Sequence, residues 1–253
     1  MNASLYVGLA HWTRQNLELL AQPAGRIQGI ILGDPFCPQR MFDHNDFDIP
    51  LLAAQAKSAN CQVAYQTPVY LTSRNYIDTL QVVRLLHETG CLDLLLVQDI
   101  GFLIQLMQED LNVPLCWSYW ATKRNDLLSR DFLDLLLQSG ITYFETSKPK
   151  RIPDLQKYGF KVNYRLYAPS VVSFGRVCYN RYFSDAPCKP ASQCSEDLSM
   201  VSNDGKIKYQ VDGHTITFQK ALARPIPENS PDCASILVRD RDELAKVLER
   251  YAL

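Results

Sequence analysis

Three cysteines lie close together in one irregular stretch of the sequence. Cys178, Cys188 and Cys194 fall within 17 residues, in a segment that also holds two prolines and has weak periodicity. The backbone of such a segment is free to direct several thiolates at one point, whereas core packing rarely needs three cysteines outside regular structure. The trio therefore predicts a metal centre. Its neighbours can offset the charge of a four-thiolate cluster: Arg176, Arg181 and Lys189.

A fourth ligand is needed, and two cysteines are candidates. Cys37 stands in Leu-Gly-Asp-Pro-Phe-Cys-Pro-Gln-Arg, directly after a predicted strand, where Gly33 and Pro35 indicate a turn. Cys233 follows a proline-rich turn and is the rival. Asp34, three residues before Cys37, is expected to form the turn or to hydrogen-bond within the loop. The sequence favours Cys37 and leaves Cys233 open.

The spacing of the cysteines leaves two metals open. Four thiolates suit both an iron–sulfur cluster and zinc. Structural zinc sites usually contain paired short knuckles, which the wider spacings here do not match, so the pattern leans towards iron–sulfur. The remaining cysteines lie in or beside apolar elements and are predicted to be buried packing residues: Cys61, Cys91 and Cys116.

Short apolar runs alternate with helical patterns through the first two thirds of the chain. Strands are predicted at 5–9, 27–32, 62–66, 93–97, 113–118, 141–145 and 161–167, and helices at 49–60, 75–89, 101–110, 131–139 and 152–158. This alternation predicts an α/β fold of the TIM-barrel type, with an incomplete or distorted barrel and a doubly wound sheet as alternatives. In a barrel, the loops that follow the strands gather at one end, which brings Cys37 towards the segment after the seventh strand.

The regular alternation of strand and helix patterns ends after residue 167. We expect a single domain over 1–253, in which 1–167 supplies barrel-like βα units and 168–253 supplies the cysteine-bearing segment, a hairpin and a last helix. Alternating residues at 206–210 and 214–219 flank Asp-Gly and predict the hairpin. The helix is predicted at 240–251.

Composition excludes several classes of protein. The 26 basic and 27 acidic side chains give a net charge of −1, which argues against general nucleic-acid binding. The first residues lack the pattern of a signal peptide, and no apolar run is long enough for a membrane span, so a cytoplasmic protein is expected. The sequence also lacks a Walker loop, a G-x-G-x-x-G motif, an H-E-x-x-H motif and a nucleophile elbow.

Two motifs resemble peptidase family U32, and within it the UbiV-type iron–sulfur proteins. They are Leu-Gly-Asp-Pro-Phe-Cys-Pro-Gln-Arg at 32–40 and Ser-Phe-Gly-Arg-Val-Cys-Tyr-Asn-Arg-Tyr-Phe at 173–183. Tyr-Gln-Val-Asp-Gly-His-Thr-Ile at 209–216 is similar to a hairpin of that family. The chain departs from it at 163–169, where many members carry Glu-x-Phe-x-His-Gly and this sequence has Asn-Tyr-Arg-Leu-Tyr-Ala-Pro.

The resemblance implies a barrel-like fold and a [4Fe–4S] cluster held by Cys37, Cys178, Cys188 and Cys194. It implies a hydroxylase component that works without O₂ on a quinone precursor in ubiquinone biosynthesis. Its implied partners are a second family subunit, in a heterodimer, and prephenate as the oxygen donor. RNA-base hydroxylation, a non-catalytic metal-stabilised partner subunit and a peptidase are the alternatives.

Several polar residues follow predicted strands and could line a substrate pocket at the same end of the barrel. These candidates are His11, Asp99, Lys123 and Arg124. Lys148, Lys150 and Arg151 follow the sixth strand and could bind an anionic substrate. For each residue, a capping role or a solvated loop position is the competing interpretation.

Overall fold

The computed structural model describes residues 4–9, 27–34, 37, 48–69, 73–118, 129–168, 171–174, 199–201, 204–212, 215–218, 222–227, 231–238 and 241–251. The strands in these ranges are β1 (Ser4–Leu9), β2 (Ile27–Leu32), β3 (Gln62–Gln66), β4 (Leu94–Val97), β5 (Leu115–Trp117), β6 (Ile141–Thr146), β7 (Lys161–Ala168), β8 (Val171–Phe174), β9 (Ser199–Val201), β10 (Lys208–Asp212), β11 (Thr215–Phe218), β12 (Leu222–Ala223) and β13 (Cys233–Val238). The helices are α1 (Ile49–Ser58), α2 (Ser73–Glu88), α3 (Ile100–Leu106), α4 (Arg130–Gln138), α5 (Ile152–Tyr158) and α6 (Arg241–Tyr251), and a 3-10 turn spans Pro149–Arg151.

Eight parallel strands close into a barrel in the order β1-β2-β3-β4-β5-β6-β7-β13, and β13 returns to β1. β12 adds an antiparallel pairing to β7. The predicted TIM-barrel-like fold is confirmed, and the barrel is complete. The seven predicted barrel strands all form, each within two residues of its expected bounds.

The eighth strand is the main difference from the sequence prediction. The sequence predicts no strand after the three prolines at 225, 227 and 231, yet β13 follows them and fills the gap between β7 and β1. All six of its residues are buried, so it shows no polar-apolar alternation along its length. A short buried run after several prolines gives a weak strand signal, which explains the omission.

Local sequence explains where the helices begin and end. The side chains of Asp48, Asp99 and Ser129 each accept a hydrogen bond from the backbone N–H three residues on, at the starts of α1, α3 and α4. Gly159 follows α5 in the left-handed region with φ of 114°, as expected of a helix end. These caps fix the helices against the strands that they connect.

Two apolar clusters lie on opposite faces of the barrel wall. The larger one lies between strands and helices and includes Val7, Leu95, Phe144 and Ile236. The smaller one fills the inside of the barrel: Tyr6, Ile31, Ala64, Leu94, Leu96, Cys116 and Cys233, with Tyr143 packed against it. Because both faces of the strands are covered, the strands read as near-continuous apolar runs.

A second sheet lies outside the barrel, with strand order β8-β11-β10-β9. β10 and β11 pair antiparallel, from Tyr209 opposite Phe218 to Asp212 opposite Thr215. The predicted hairpin is therefore confirmed, and so is the last helix, as α6.

Candidate functional site

Inward-facing residues stack in layers of four inside the barrel. In an eight-stranded parallel barrel, alternate strands contribute the four members of one layer. The strand registers assign four successive layers from the amino to the carboxyl end: Gly29, Leu94, Tyr143 and Cys233; Tyr6, Ala64, Cys116 and Asn163; Ile31, Leu96, Glu145 and Ser235; Gly8, Gln66, Ser118 and Arg165. We call the last two the glutamate layer and the arginine layer.

The inside of the barrel changes from apolar to polar along its axis. The two layers nearest the amino end are mostly apolar, and the ring of Tyr6 lies over Gly29, where an added Cβ would approach it to 2.6 Å. The Tyr6 hydroxyl donates to Oε1 of Gln62 at 2.6 Å. The polar side chains concentrate towards the carboxyl end, which is where barrel enzymes place their chemistry.

Glu145 is the centre of the polar region. Its Oε1 lies 2.5 Å from Nη2 of Arg165, and both side chains are fully buried. Oε1 also accepts hydrogen bonds from Nδ2 of Asn163 and Oγ of Ser235, each at 3.2 Å. Oε2 accepts from Oγ of Ser118 at 3.0 Å. The buried charge of Glu145 is therefore compensated by an opposite charge and three further hydrogen-bond donors.

The donors around Glu145 fix the orientation of the side chains beyond them. Ser118 gives its only hydrogen to Glu145, so it accepts from Nε2 of Gln66, at 3.0 Å. The carboxylate can only accept when it is ionised, so Asn163 turns its Nδ2 towards it. The carbonyl oxygens of Gln66 and Asn163 must then point elsewhere.

Several buried polar atoms of this region have no hydrogen-bond partner within the described part of the chain. They are Nε and Nη1 of Arg165 and the side-chain carbonyl oxygens of Gln66, Gln98 and Asn163. Gln98 lies at the carboxyl end of β4, where its Nε2 donates to the carbonyl oxygen of Thr67. Native structures pair almost all such atoms, so each one requires an explanation.

Small residues flank Arg165 within its own layer. Gly8 and Ser118 face each other across the barrel, and Arg165 faces Gln66. A Cβ at Gly8 would come within 2.8 Å of Leu237 and 3.4 Å of Ile31, so this position admits no larger residue without rearrangement. The long guanidinium side chain is thus accommodated by a glycine and a serine.

Two thiols lie inside the barrel, in the layers on the amino-terminal side of the polar ones. Burial raises the pKa of Cys116 well above the ordinary thiol value, and the nearby Glu145 carboxylate raises it further. Burial likewise raises the pKa of Cys233, again helped by Glu145. Both thiols stay protonated at neutral pH, so neither is an activated nucleophile.

Cys37 lies beyond the carboxyl end of β2 and is fully buried. Its backbone N–H donates to Oδ1 of Asp34 at 3.0 Å, so Asp34 forms the turn and hydrogen-bonds within the loop, as both interpretations expected. Gly33 starts this turn with φ of 103°. An added Cβ there would lie 2.2 Å from the carbonyl oxygen of Gln66, so only glycine fits.

Cys233 and Cys37 lie towards opposite ends of the barrel. Gly8 pairs with both Leu237 and Ile31, so those two residues are level across the sheet. Cys233 is four residues before Leu237, which places it about 13 Å towards the amino end. Cys37 comes six residues after Ile31, which places it towards the carboxyl end.

Some of the other predicted site residues lie within the described ranges, and the rest lie outside them. Asp99 caps α3, with Oδ1 accepting from the N–H of Phe102 at 2.8 Å. Lys148 and Arg151 are half-buried around the turn after β6, and Lys150 is exposed. The remaining candidates lie outside the described residues: Cys178, Cys188, Cys194, His11, Lys123 and Arg124. Across the described ranges, His, Cys, Asp and Glu form no group of three that could hold a metal.

Sequence reasoning missed the polar layers. Their signal was a period of two inside strands that are otherwise apolar: Tyr143 and Glu145 on β6, Asn163 and Arg165 on β7. Charged residues on the inward face of a predicted barrel strand are unusual and would have identified the pair.

Comparisons with known proteins include a likeness to a solved structure. No protein-family model matches the chain, and no curated protein does. The structure of the U32 peptidase Mk0906 is similar, with a TM-score of 0.57 and 9% identity over 94% of each chain. A GH10 endoxylanase from a sugarcane soil metagenome reaches a TM-score of 0.46 with 9% identity, over 78% of this chain and 73% of its own, which is too low to support an argument. At 9% identity, the first likeness establishes the fold.

No helix within the described ranges has both the length and the apolar character needed to cross a lipid bilayer.

Proposed function

We propose that this chain is a [4Fe–4S] protein of peptidase family U32 that takes part in O₂-independent hydroxylation of a quinone precursor. The observation that carries the proposal is the buried position of Cys37 beyond the carboxyl end of β2, combined with the cysteine trio that follows β7. The likeness to the U32 peptidase Mk0906 over 94% of both chains supports the family assignment.

The reach of the chain is compatible with a cluster that includes Cys37. β2 and β7 are three strand spacings apart around the barrel, through β13 and β1. At about 4.8 Å per spacing this is roughly 14 Å along the wall. Cys178 follows Ala168 by ten residues, which can span up to about 33 Å when extended. The connection includes β8, which pairs with β11, so the sequence separation sets an upper limit on the reach of Cys178, and that limit exceeds the distance along the wall.

Of the four proposed ligands, the described residues include Cys37, and its position suits an iron–sulfur cluster. Cys37 is fully buried, and its backbone N–H donates to Oδ1 of Asp34. When bound, the cluster would supply one-electron chemistry or a Lewis-acidic iron. Cys233 fits less well, because it lies inside the barrel towards the amino end, beneath the glutamate layer.

Iron and sulfide analysis of anaerobically purified protein tests the cluster. We expect about four irons and four sulfides per chain and a brown colour. Cys37→Ala and Cys178→Ala should lose most of the iron, whereas Cys233→Ala should keep it. Cys61→Ala is the matched control, because that thiol belongs to the apolar cluster outside the barrel. Colourless protein that contains one zinc per chain would contradict the proposal.

The hydroxylation itself needs a separate test. We expect the chain to form a heterodimer with a second U32-family subunit, which size-exclusion chromatography with light scattering detects. Oxygen transfer is followed by mass spectrometry of the quinone precursor, incubated under nitrogen with isotope-labelled prephenate. Label in the product supports the proposed role. Product that carries oxygen from labelled water instead would exclude prephenate as the donor.

A further inference from the structure

The buried polar atoms that lack hydrogen-bond partners in the carboxyl half of the barrel, among the described residues, include both donors and acceptors. Arg165 has N–H groups on Nε and Nη1 without a hydrogen-bond partner among the described residues, and its side chain is fully buried. Gln66 and Gln98 each have a side-chain carbonyl oxygen without a hydrogen-bond partner among the described residues, and they lie at the carboxyl ends of β3 and β4. A ligand that satisfies this set must offer oxygen acceptors to the guanidinium and at least one hydrogen donor to a carbonyl.

The network holds these groups in place before any ligand arrives. Gln66 is oriented through Ser118, which is in turn oriented by Glu145. Gln98 is oriented by the backbone of Thr67. Arg165 is anchored by its ion pair to Glu145. Preorganised polar groups of this kind distinguish a built site from an accidental gap in hydrogen bonding.

The charges restrict what the site can bind. The single guanidinium matches one carboxylate, the planar group that arginine binds best. Glu145 already holds a negative charge directly beside Arg165. The four inward layers contain no cationic side chain besides Arg165, so a second carboxylate on the ligand would lack a counter-charge in a buried environment, where repulsion from Glu145 is strong.

We propose that the arginine layer, together with Gln98 at the carboxyl end of β4, binds a small monocarboxylate that carries a hydroxyl group. The carboxylate accepts from Nη1 of Arg165, and the hydroxyl donates to the carbonyl oxygen of Gln66 or Gln98. The ligand enters from the carboxyl end, because the apolar layers fill the amino half of the barrel. The side chains of this site lie on the barrel strands or directly after their carboxyl ends, so the site holds whether or not the cysteines bind a cluster.

Calorimetric titration of the full chain with lactate tests the proposal, with three related probes on the same protein. Propionate removes the hydroxyl, lactamide removes the charge, and malate adds a second carboxylate. We expect saturable lactate binding. Lactamide should bind at least tenfold more weakly, because it loses a charge-assisted hydrogen bond, and propionate about two- to tenfold more weakly, because it loses a neutral one. Malate should also bind more weakly, because its second carboxylate lacks a counter-charge. An absence of saturable lactate binding overturns the site. Equal binding of propionate overturns the role of the hydroxyl, and equal or tighter binding of malate overturns the restriction to one carboxylate.

Variants locate the binding. Arg165→Lys keeps the charge but loses the planar donor pair, and we expect at least a tenfold loss of lactate affinity. Arg84→Met is the matched control, since Arg84 pairs with Glu109 on the outside of the barrel. Lactate affinity unchanged in folded Arg165→Lys would overturn the assignment. If circular dichroism finds that variant unfolded, Gln66→Leu serves instead: it should weaken lactate binding and leave propionate binding as it was.

Cys37→Ala separates this inference from the proposed function. Lactate affinity should be the same in that variant as in the parent chain, even if its iron is lost. A loss of lactate binding together with iron would contradict the independence of the two sites.

Discussion

Replacing Glu145 by alanine should be among the most destabilising single changes in this barrel. Glu145→Ala leaves the guanidinium of Arg165 buried without its counter-charge and removes the acceptor of Ser118, Asn163 and Ser235. Breaking a buried ion pair by removing one partner costs about 3–5 kcal/mol. Native domains are stable by roughly 5–15 kcal/mol, so the loss is a large share of the total. For a chain of this length it corresponds to a fall in melting temperature of about 6–20 °C.

Urea denaturation followed by circular dichroism measures the change in free energy of unfolding. The double variant Glu145→Leu/Arg165→Leu should recover most of the loss, because removing both charges removes the uncompensated one. Glu109→Gln is the control, since Glu109 lies outside the barrel, after the end of α3, and pairs with the half-exposed Arg84 of α2; its loss should cost less than that of Glu145. A cost below about 1 kcal/mol for Glu145→Ala, or a double variant no more stable than the single one, would refute this account of the pair.

Three further predictions concern the backbone, the buried thiols and the amino end of the barrel. Gly33→Ala should destabilise the protein more than Gly90→Ala, because both glycines have positive φ but only Gly33 has a carbonyl oxygen 2.2 Å from the added Cβ; similar unfolding free energies for the two variants would contradict the clash. Burial raises the pKa of Cys116 and Cys233 above the ordinary value of 9.0, so the stability that they contribute is present below pH 9 and falls as the pH rises above it. Cys233→Ala should therefore flatten the decline in urea midpoint between pH 8.5 and 10, and an unchanged slope would argue against its burial in the folded state. Asp93→Ala should cost about 1–2 kcal/mol, because Oδ2 accepts from the N–H of Val63 at 2.6 Å and the carboxylate pairs with a lysine; a cost indistinguishable from zero in the same denaturation assay would show that water replaces these contacts.

Most of the barrel could be predicted from the sequence because its elements carry strong local signals. The strands from β1 to β7 are apolar runs bounded by turn residues, and the connecting helices have capping residues such as Asp99 and Ser129. The strand β13 is also an apolar run, but it is short and follows three prolines, so its local signal is weak. It is placed by the unpaired edges of β1 and β7, which is information that no local window contains.

The candidate site was predictable in one part and hidden in another. Asp34 and Cys37 belong to one short turn, so their hydrogen bond could be anticipated from sequence spacing. Glu145 and Arg165 are twenty residues apart in sequence and meet only because β6 and β7 pair with Glu145 opposite Asn163. A register of this kind depends on the whole closed sheet, and a shift of β7 by one residue would turn Arg165 away from the barrel interior.

The insertion of β13 between β7 and β1 also has a consequence for the order in which the chain can fold. A ribosome delivers β1 to β7 first, and until residues 233–238 emerge the nascent sheet keeps two open edges. The first strand must therefore wait for nearly the whole chain before its second neighbour exists, which is a pairing of high contact order and slow formation. We expect that, during synthesis, the growing sheet is exposed to edge-to-edge association and that chaperones which shield strand edges raise the yield of this protein.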